Sequence, residues 1–225
     1  MQSASFISGV LLAAALTCGC ESDPTINRAE PPPPPANPSE LIEVFEKAYG
    51  RMDLALYQSL LPEDADAPFL YILSGAAPGE SPYWDRDEEL RIHRRMFESA
   101  STPTGEPPVP QELHLKGITI ALTPNGDWRE RPDLYASPDD STGLDPARWR
   151  ATEAQYVANV FWDTQSSVDF AIDSQENFIV IEDLTRPAGE SRKFLLYRWE
   201  DLSGFAPLAS QEAKSWSSVK SLYRR

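Results

Sequence analysis

The residue best placed to do chemistry is His93. On a helical wheel, Leu90, Ile92, His93, Met96 and Phe97 share one apolar arc, with Arg91, Arg94 and Arg95 outside it. An imidazole there can donate to a ligand or act as an acid–base group. It can equally be a core histidine held by a backbone carbonyl or carboxylate, as most buried polar groups are. Tyr71, Tyr156, Asp163 and Asp169 are conceivable acid–base partners, but no spacing singles them out. His114, the second of two histidines, alternates against Leu113 and Leu115 and is expected to face water. No histidine pair has metal-ligand spacing, and Asp139, Asp140 and Asp145 lack the arrangement of a calcium loop, so neither a metal nor a cofactor is expected. Of six tryptophans, Trp84, Trp162 and Trp199 fall at element ends or on strands, where they can line a pocket mouth or build the core. The chain has no Gly-x-Ser-x-Gly elbow, Walker loop or Gly-rich dinucleotide turn.

The elements that must position these residues begin at Asn37. It can cap a helix, with Pro38 at the first helical position and Glu40 completing a capping box. Leu41, Val44, Phe45, Ala48, Tyr49 and Met52 form its apolar face, and Gly50 can end it. Asp53 can cap a second short helix through Leu60, followed by a strand over Ala67 to Leu73. The helix carrying His93 starts near Asp85, with Glu88 three residues on. From Glu112 the period changes to two, and a phase slip at Gly117 predicts a β-bulge. Asn125-Gly126 marks a turn, and Asp127 to Ala147 reads as a long surface loop. Strands are expected at Glu153 to Trp162, Val168 to Ile172, Phe178 to Ile181 and Lys193 to Trp199, with Gln175-Glu176-Asn177 as a turn.

Ahead of this body, an uncharged apolar stretch from Phe6 to Thr17 runs into Cys18-Gly19-Cys20. About a dozen apolar residues are too few to cross a bilayer and suit a signal-peptide core. Leu16-Thr17-Cys18-Gly19-Cys20 resembles the lipobox of bacterial lipoproteins, whose cysteine is lipidated after cleavage. That resemblance implies a signal peptide over 1–19 and lipid on Cys20; an ordinary secretory signal, cut nearby without lipid, is the other reading. Both cysteines lie in this segment, so cleavage before Cys20 leaves no pair for a disulfide. Residues 20–37 then form a tether, in which Pro31 to Pro35 make a stiff spacer of roughly 15 Å. The net charge of −15 and pI near 4.5 argue against nucleic acid and against docking on anionic headgroups.

Helices first and a meander after is an α+β pattern for one domain over 38–225. The order and texture of Glu40 to Tyr49, of Trp84 to His93, of Lys193 to Asp201 and of Trp216 to Lys220 resemble the nuclear transport factor 2-like superfamily. The resemblance implies N-terminal helices packed on a strongly curved, cone-like antiparallel sheet, with a cavity between them. Tyr71, Trp84, His93, Met96, Phe97 and Trp162 are the candidate pocket residues. The expected function is a membrane-anchored lipoprotein of the bacterial cell envelope, on the periplasmic side of the outer or inner membrane. It would be a non-catalytic module binding a small apolar ligand or a protein, with a homodimer through the sheet as a further expectation. The alternative is a small cavity enzyme of the isomerase, dehydratase or cyclase kind.

Overall fold

Helix α1, Pro38–Arg51, starts where the capping signal predicts. The Asn37 side chain accepts from the Glu40 amide at 2.9 Å, and the Glu40 carboxylate reaches back to Asn37 Nδ2 and to the Ala36 amide. It ends two residues beyond Gly50, on Met52 at φ 51°. The Met52 amide donates to Tyr49 and the Asp53 amide to Ala48, which closes the last turn and leaves Asp53 free to cap α2, Leu54–Ser59, through the Leu56 amide. The computed structural model describes residues 33–73, 81–101, 106–137, 143–165, 170–187, 193–202 and 216–224. The expected signal segment, Cys20 and the tether up to residue 32 lie outside the described residues.

Strands β1 (Leu70–Leu73) and β2 (Tyr83–Asp85) lead into α3, Arg86–Phe97, capped by Asp85 through the Glu88 amide. Then come β3 (Leu115–Pro124), β4 (Arg129–Glu130), β5 (Trp149–Thr164), β6 (Phe170–Asp183), β7 (Phe194–Asp201) and helix α4 (Trp216–Arg224). The sheet order is β2-β1-β7-β6-β5-β3, with β4 pairing β5. One pair departs from the expected antiparallel meander, β1 running parallel to β7. The slip expected at Gly117 is present between Leu115 and Gly117.

Period-two alternation sends β5 and β6 side chains to two faces. Tyr156, Val160, Trp162, Phe178 and Val180 meet the helices in the larger core, where Leu41, Phe45, Ala48 and Tyr49 of α1 are also buried. Trp149, Ala151, Ile179, Ile181, Leu195 and Tyr197 form a smaller core on the opposite face. The segment expected as a plain surface loop supplies that second core. Leu134 and Leu144 are buried in it, Tyr135 bridges to Leu144, and β4 adds to the edge of β5.

Two further readings change. β6 is one continuous strand, so Gln175-Glu176-Asn177 is no turn. Asn177 pairs with Gln155, and Glu176 points into the larger core. A short run of polar side chains has the composition of a turn, and only burial distinguishes the two. In β7 the register slips between its pairings with Ile179 and Val180, so that Arg198 faces Ile179 and Leu196 faces Val180. That bulge re-aims Trp199 and Asp201 into the helix-covered side.

Phe45 holds α1 to this side. Its ring meets Trp199 at 5.1 Å and Phe178 at 5.4 Å, both edge-on, and it is fully buried. Phe45→Ala is expected to destabilise the fold by about 3–5 kcal/mol in urea unfolding, from lost transfer energy and the void left behind.

Candidate functional site

Between the helices and the sheet lies a buried group of ionisable side chains inside aromatic walls. α3 contributes Glu89 and His93 one turn apart, both fully buried. His93 Nδ1 lies 2.8 Å from the Glu89 carbonyl, an acceptor only, so Nδ1 carries the proton. His93 Nε2 is then the acceptor for the Tyr49 hydroxyl of α1. The imidazole also stacks on Tyr57 at 4.0 Å. Burial and the Lys220 charge push its pKa well below the usual histidine value, so it stays neutral. Both ring nitrogens are engaged, as in a core histidine satisfied in place.

The Glu89 carboxylate accepts from the Tyr57 hydroxyl at 2.7 Å and pairs with the Lys220 ammonium of α4. Lys220 is fully buried, with Nζ 3.7 Å from the Trp199 ring centroid and 3.8 Å from that of Tyr71. Trp84 and Trp216 stand further off, each at 5.9 Å. An ammonium against ring faces is held by their quadrupoles, most strongly where water is excluded. Desolvation lowers the Lys220 pKa to about 8, against the attraction of Glu89, Glu176 and Asp201.

Beyond Trp199 lies Glu176, which accepts from the Trp199 indole and the Ser174 hydroxyl, each at 2.6 Å. Burial, with the Asp201 charge behind it, raises its pKa to about 8, so the acid is mostly protonated at neutral pH. Asp201 accepts from the Ser217 amide at 2.9 Å and from the Ser217 hydroxyl, which fixes the first turn of α4. Tyr71 and Ser217 share a 3.1 Å hydrogen bond.

α4 is held at its other end by α3. Arg95 donates to the Tyr223 carbonyl and Arg91 to the Arg224 carbonyl, both at 2.7 Å, placing cations where the helix exposes unpaired acceptors. The helical wheel set Arg95 outside the apolar arc, yet it is buried, because α4 covers it.

All six candidate pocket residues are buried; Tyr71, Trp84, Met96, Phe97 and Trp162 belong to the larger core, and the His93 ring packs against its Tyr49, Tyr57 and Phe97. Tyr71 and Trp84 wall the Lys220 cage, stacked on each other at 4.9 Å. Trp162 packs on Trp216 and Tyr223 of α4, and Phe97 on Tyr49 and His93. Tyr156 lies in the same core, Asp163 pairs with Lys116 at the surface, and Asp169 falls outside the described residues. His114 precedes β3 and is half-buried rather than open to water, Nε2 lying 2.9 Å from the Val109 carbonyl. Glu89, Glu176, Asp201 and Lys220 did not stand out in the sequence. The available signal was Glu89 four residues before His93, on the same face of α3.

Two surface concavities lie away from the cage. One, of about 410 Å³, adjoins Asn37, Pro38, Arg150 and Glu182 where the chain enters α1. The other, of about 440 Å³, is a shallow apolar groove on the opposite sheet face around Ala121, Phe161 and Ala171. Among the described residues, no group of three or more acidic, histidine or cysteine side chains is placed to hold a metal ion.

Leading helices laid on an open sheet that runs from β2 through β1, β7, β6 and β5 to β3 define the architecture. This is the helices-on-sheet α+β arrangement that the sequence led one to expect. Solved structures of similar fold include a candidate dehydratase of the NTF2-like family from Streptomyces avermitilis (13% identity, 72% of this chain and 90% of that one, TM-score 0.41). Others are an NTF2-like protein of unknown function from Shewanella oneidensis (10% identity, 72% and 93%, TM-score 0.37) and one with a cystatin-like fold from Novosphingobium aromaticivorans (12% identity, 72% and 76%, TM-score 0.35). At such identities the likeness concerns fold alone. No protein-family model and no curated protein matches the chain.

Folding favours the protonated Glu176 acid, so this residue's contribution is full below about pH 4.5 and is lost as pH rises toward 8. His93, held neutral, acts with the opposite sign, and comparing one variant with wild type cancels it. Glu176→Gln is expected to gain melting temperature relative to wild type at pH 7 and to gain less at pH 5, measured by thermal unfolding at both.

Proposed function

We propose that this chain is a lipid-anchored, non-catalytic binding module of the bacterial cell envelope. Support for the anchor comes from the sequence, where a short apolar core ends in Gly19-Cys20 and a proline-stiffened spacer follows. Among the described residues, no helix is long and apolar enough to cross a membrane.

Binding rather than turnover is supported by one observation above the others: among the described residues, His93 and Glu89 on the helix-covered side are engaged by the protein's own groups. His93 is spoken for by Tyr49 and the Glu89 carbonyl, and Glu89 by Tyr57 and Lys220. A general base needs a substrate atom within hydrogen-bond reach. Here those positions are held by the protein's own side chains. The shifted Glu176 and Lys220 beside tyrosine and tryptophan are what a cavity enzyme would also contain, but shifted groups occur in structural ion-pair networks as well. The partnered state of His93 and Glu89 favours the binding reading.

The anchor is tested by fractionation of bacteria producing the full chain. Wild type is expected in the membrane fraction with the intact mass of a lipidated Cys20 species, and Cys20→Ala in the soluble fraction. Membrane attachment of Cys20→Ala would contradict the anchor.

A further inference from the structure

The position of Lys220 carries more than the packing of a helix. Its ammonium enters a chamber whose walls, Tyr71, Trp84 and Trp199, come from the strands, and whose floor, Glu89, comes from α3. Asp201, committed to Ser217, adds its charge to that of Glu89 near the ammonium. Among the described residues, one oxygen of the fully buried Glu89 carboxylate, Oε2, and the buried Trp84 indole nitrogen have no hydrogen-bond partner. A core needing only to hold a helix would be served by apolar side chains, because replacing a buried ion pair with them is often neutral or stabilising.

α4 also has anchors that do not involve Lys220. Ser217 is bound by Asp201, Arg91 and Arg95 hold the last carbonyls, and the Tyr223 hydroxyl donates to the Leu113 carbonyl at 2.8 Å. The lysine head is thus one of several contacts that hold α4.

Resting on the reading of the domain as a binding module, we propose that the chamber formed by Tyr71, Trp84, Trp199 and Glu89 is a binding site for a small molecule bearing a primary ammonium on an unbranched alkyl stem, and that Lys220 occupies it in competition with that ligand. The rings select a cation over a neutral group of the same shape, and Glu89 supplies the counter-charge. The walls leave the stem in apolar surroundings, as they do the methylenes of Lys220.

The probe is n-butylammonium chloride, which reproduces the lysine side chain, with n-butanol as its neutral counterpart and sodium chloride at equal ionic strength. Thermal unfolding of the full chain in detergent is followed for wild type, Lys220→Ala and Lys220→Ala/Glu89→Gln. Lys220→Ala is expected to gain melting temperature saturably with n-butylammonium and not with n-butanol, and the double variant to lose that response. Wild type is expected to respond at a half-saturating concentration about tenfold or more higher, because its own lysine competes. If Lys220→Ala does not fold alone, recovery of its folded circular-dichroism spectrum by n-butylammonium is the same readout. No response in Lys220→Ala, an equal response to n-butanol, or a wild type that never responds beyond the sodium chloride control would each overturn the proposal. Those results leave the membrane fractionation of Cys20→Ala untouched, so failure of the cation site and failure of the anchor are separately visible.

Discussion

Burying the Lys220 ammonium against the Glu89 carboxylate sets the terms for the interior. Removing two charges from water is costly, and their attraction compensates only with good geometry and further polar partners. Tyr57 supplies such a partner to Glu89, and the faces of Tyr71 and Trp199 receive the ammonium. The same charge helps keep His93 neutral, which fixes the direction of its hydrogen bond with Tyr49. Through this chain of contacts α1, α2, α3 and α4 become mutually dependent, though α4 is remote from the first three in sequence.

The sheet serves the same centre through an irregularity. Had β7 kept strict alternation after Phe194 and Leu196, Arg198 and Glu200 would face the helices. The bulge at Tyr197 turns Trp199 and Asp201 inward instead, giving one wall of the lysine chamber and the anchor for Ser217. Trp199 therefore touches nearly everything of interest: Phe45, Phe178, Tyr71, Trp216, Glu176 and Lys220.

How much of this was legible in the sequence depended on whether the signal was local. The caps at Asn37, Asp53 and Asp85, the apolar face of α1 and the slip at Gly117 are set within a few residues, and each reads correctly from the chain. Gly50 misled because the stop of α1 is decided by the following helix, whose cap is Asp53. Glu176 misled because Asp173 to Asn177 has the composition of a turn while its alternation is that of a strand with a polar interior. Asp127 to Ala147 looked like a plain loop because Leu134 and Leu144, its buried side chains among the described residues, are ten residues apart. The cage was not legible at all, since it joins Tyr71, Glu89, Trp199 and Lys220 across most of the chain. The six pocket candidates came from the right face of α3 and from aromatic residues, but the charges that give the site its character did not.

A sheet whose helix-covered side is occupied by its own C-terminal helix is a different object from an open cavity. The central claim is that Lys220 and Glu89 act as a pair, and a double-mutant cycle tests it most directly. Lys220→Met, Glu89→Gln and the double variant would be compared by urea unfolding of the full chain in detergent. Each single variant is expected to lose about 3–5 kcal/mol by leaving a buried partner uncompensated, and the double variant to lose clearly less than the sum. Additive losses would show that the two side chains do not depend on one another, and would contradict this account of the interior.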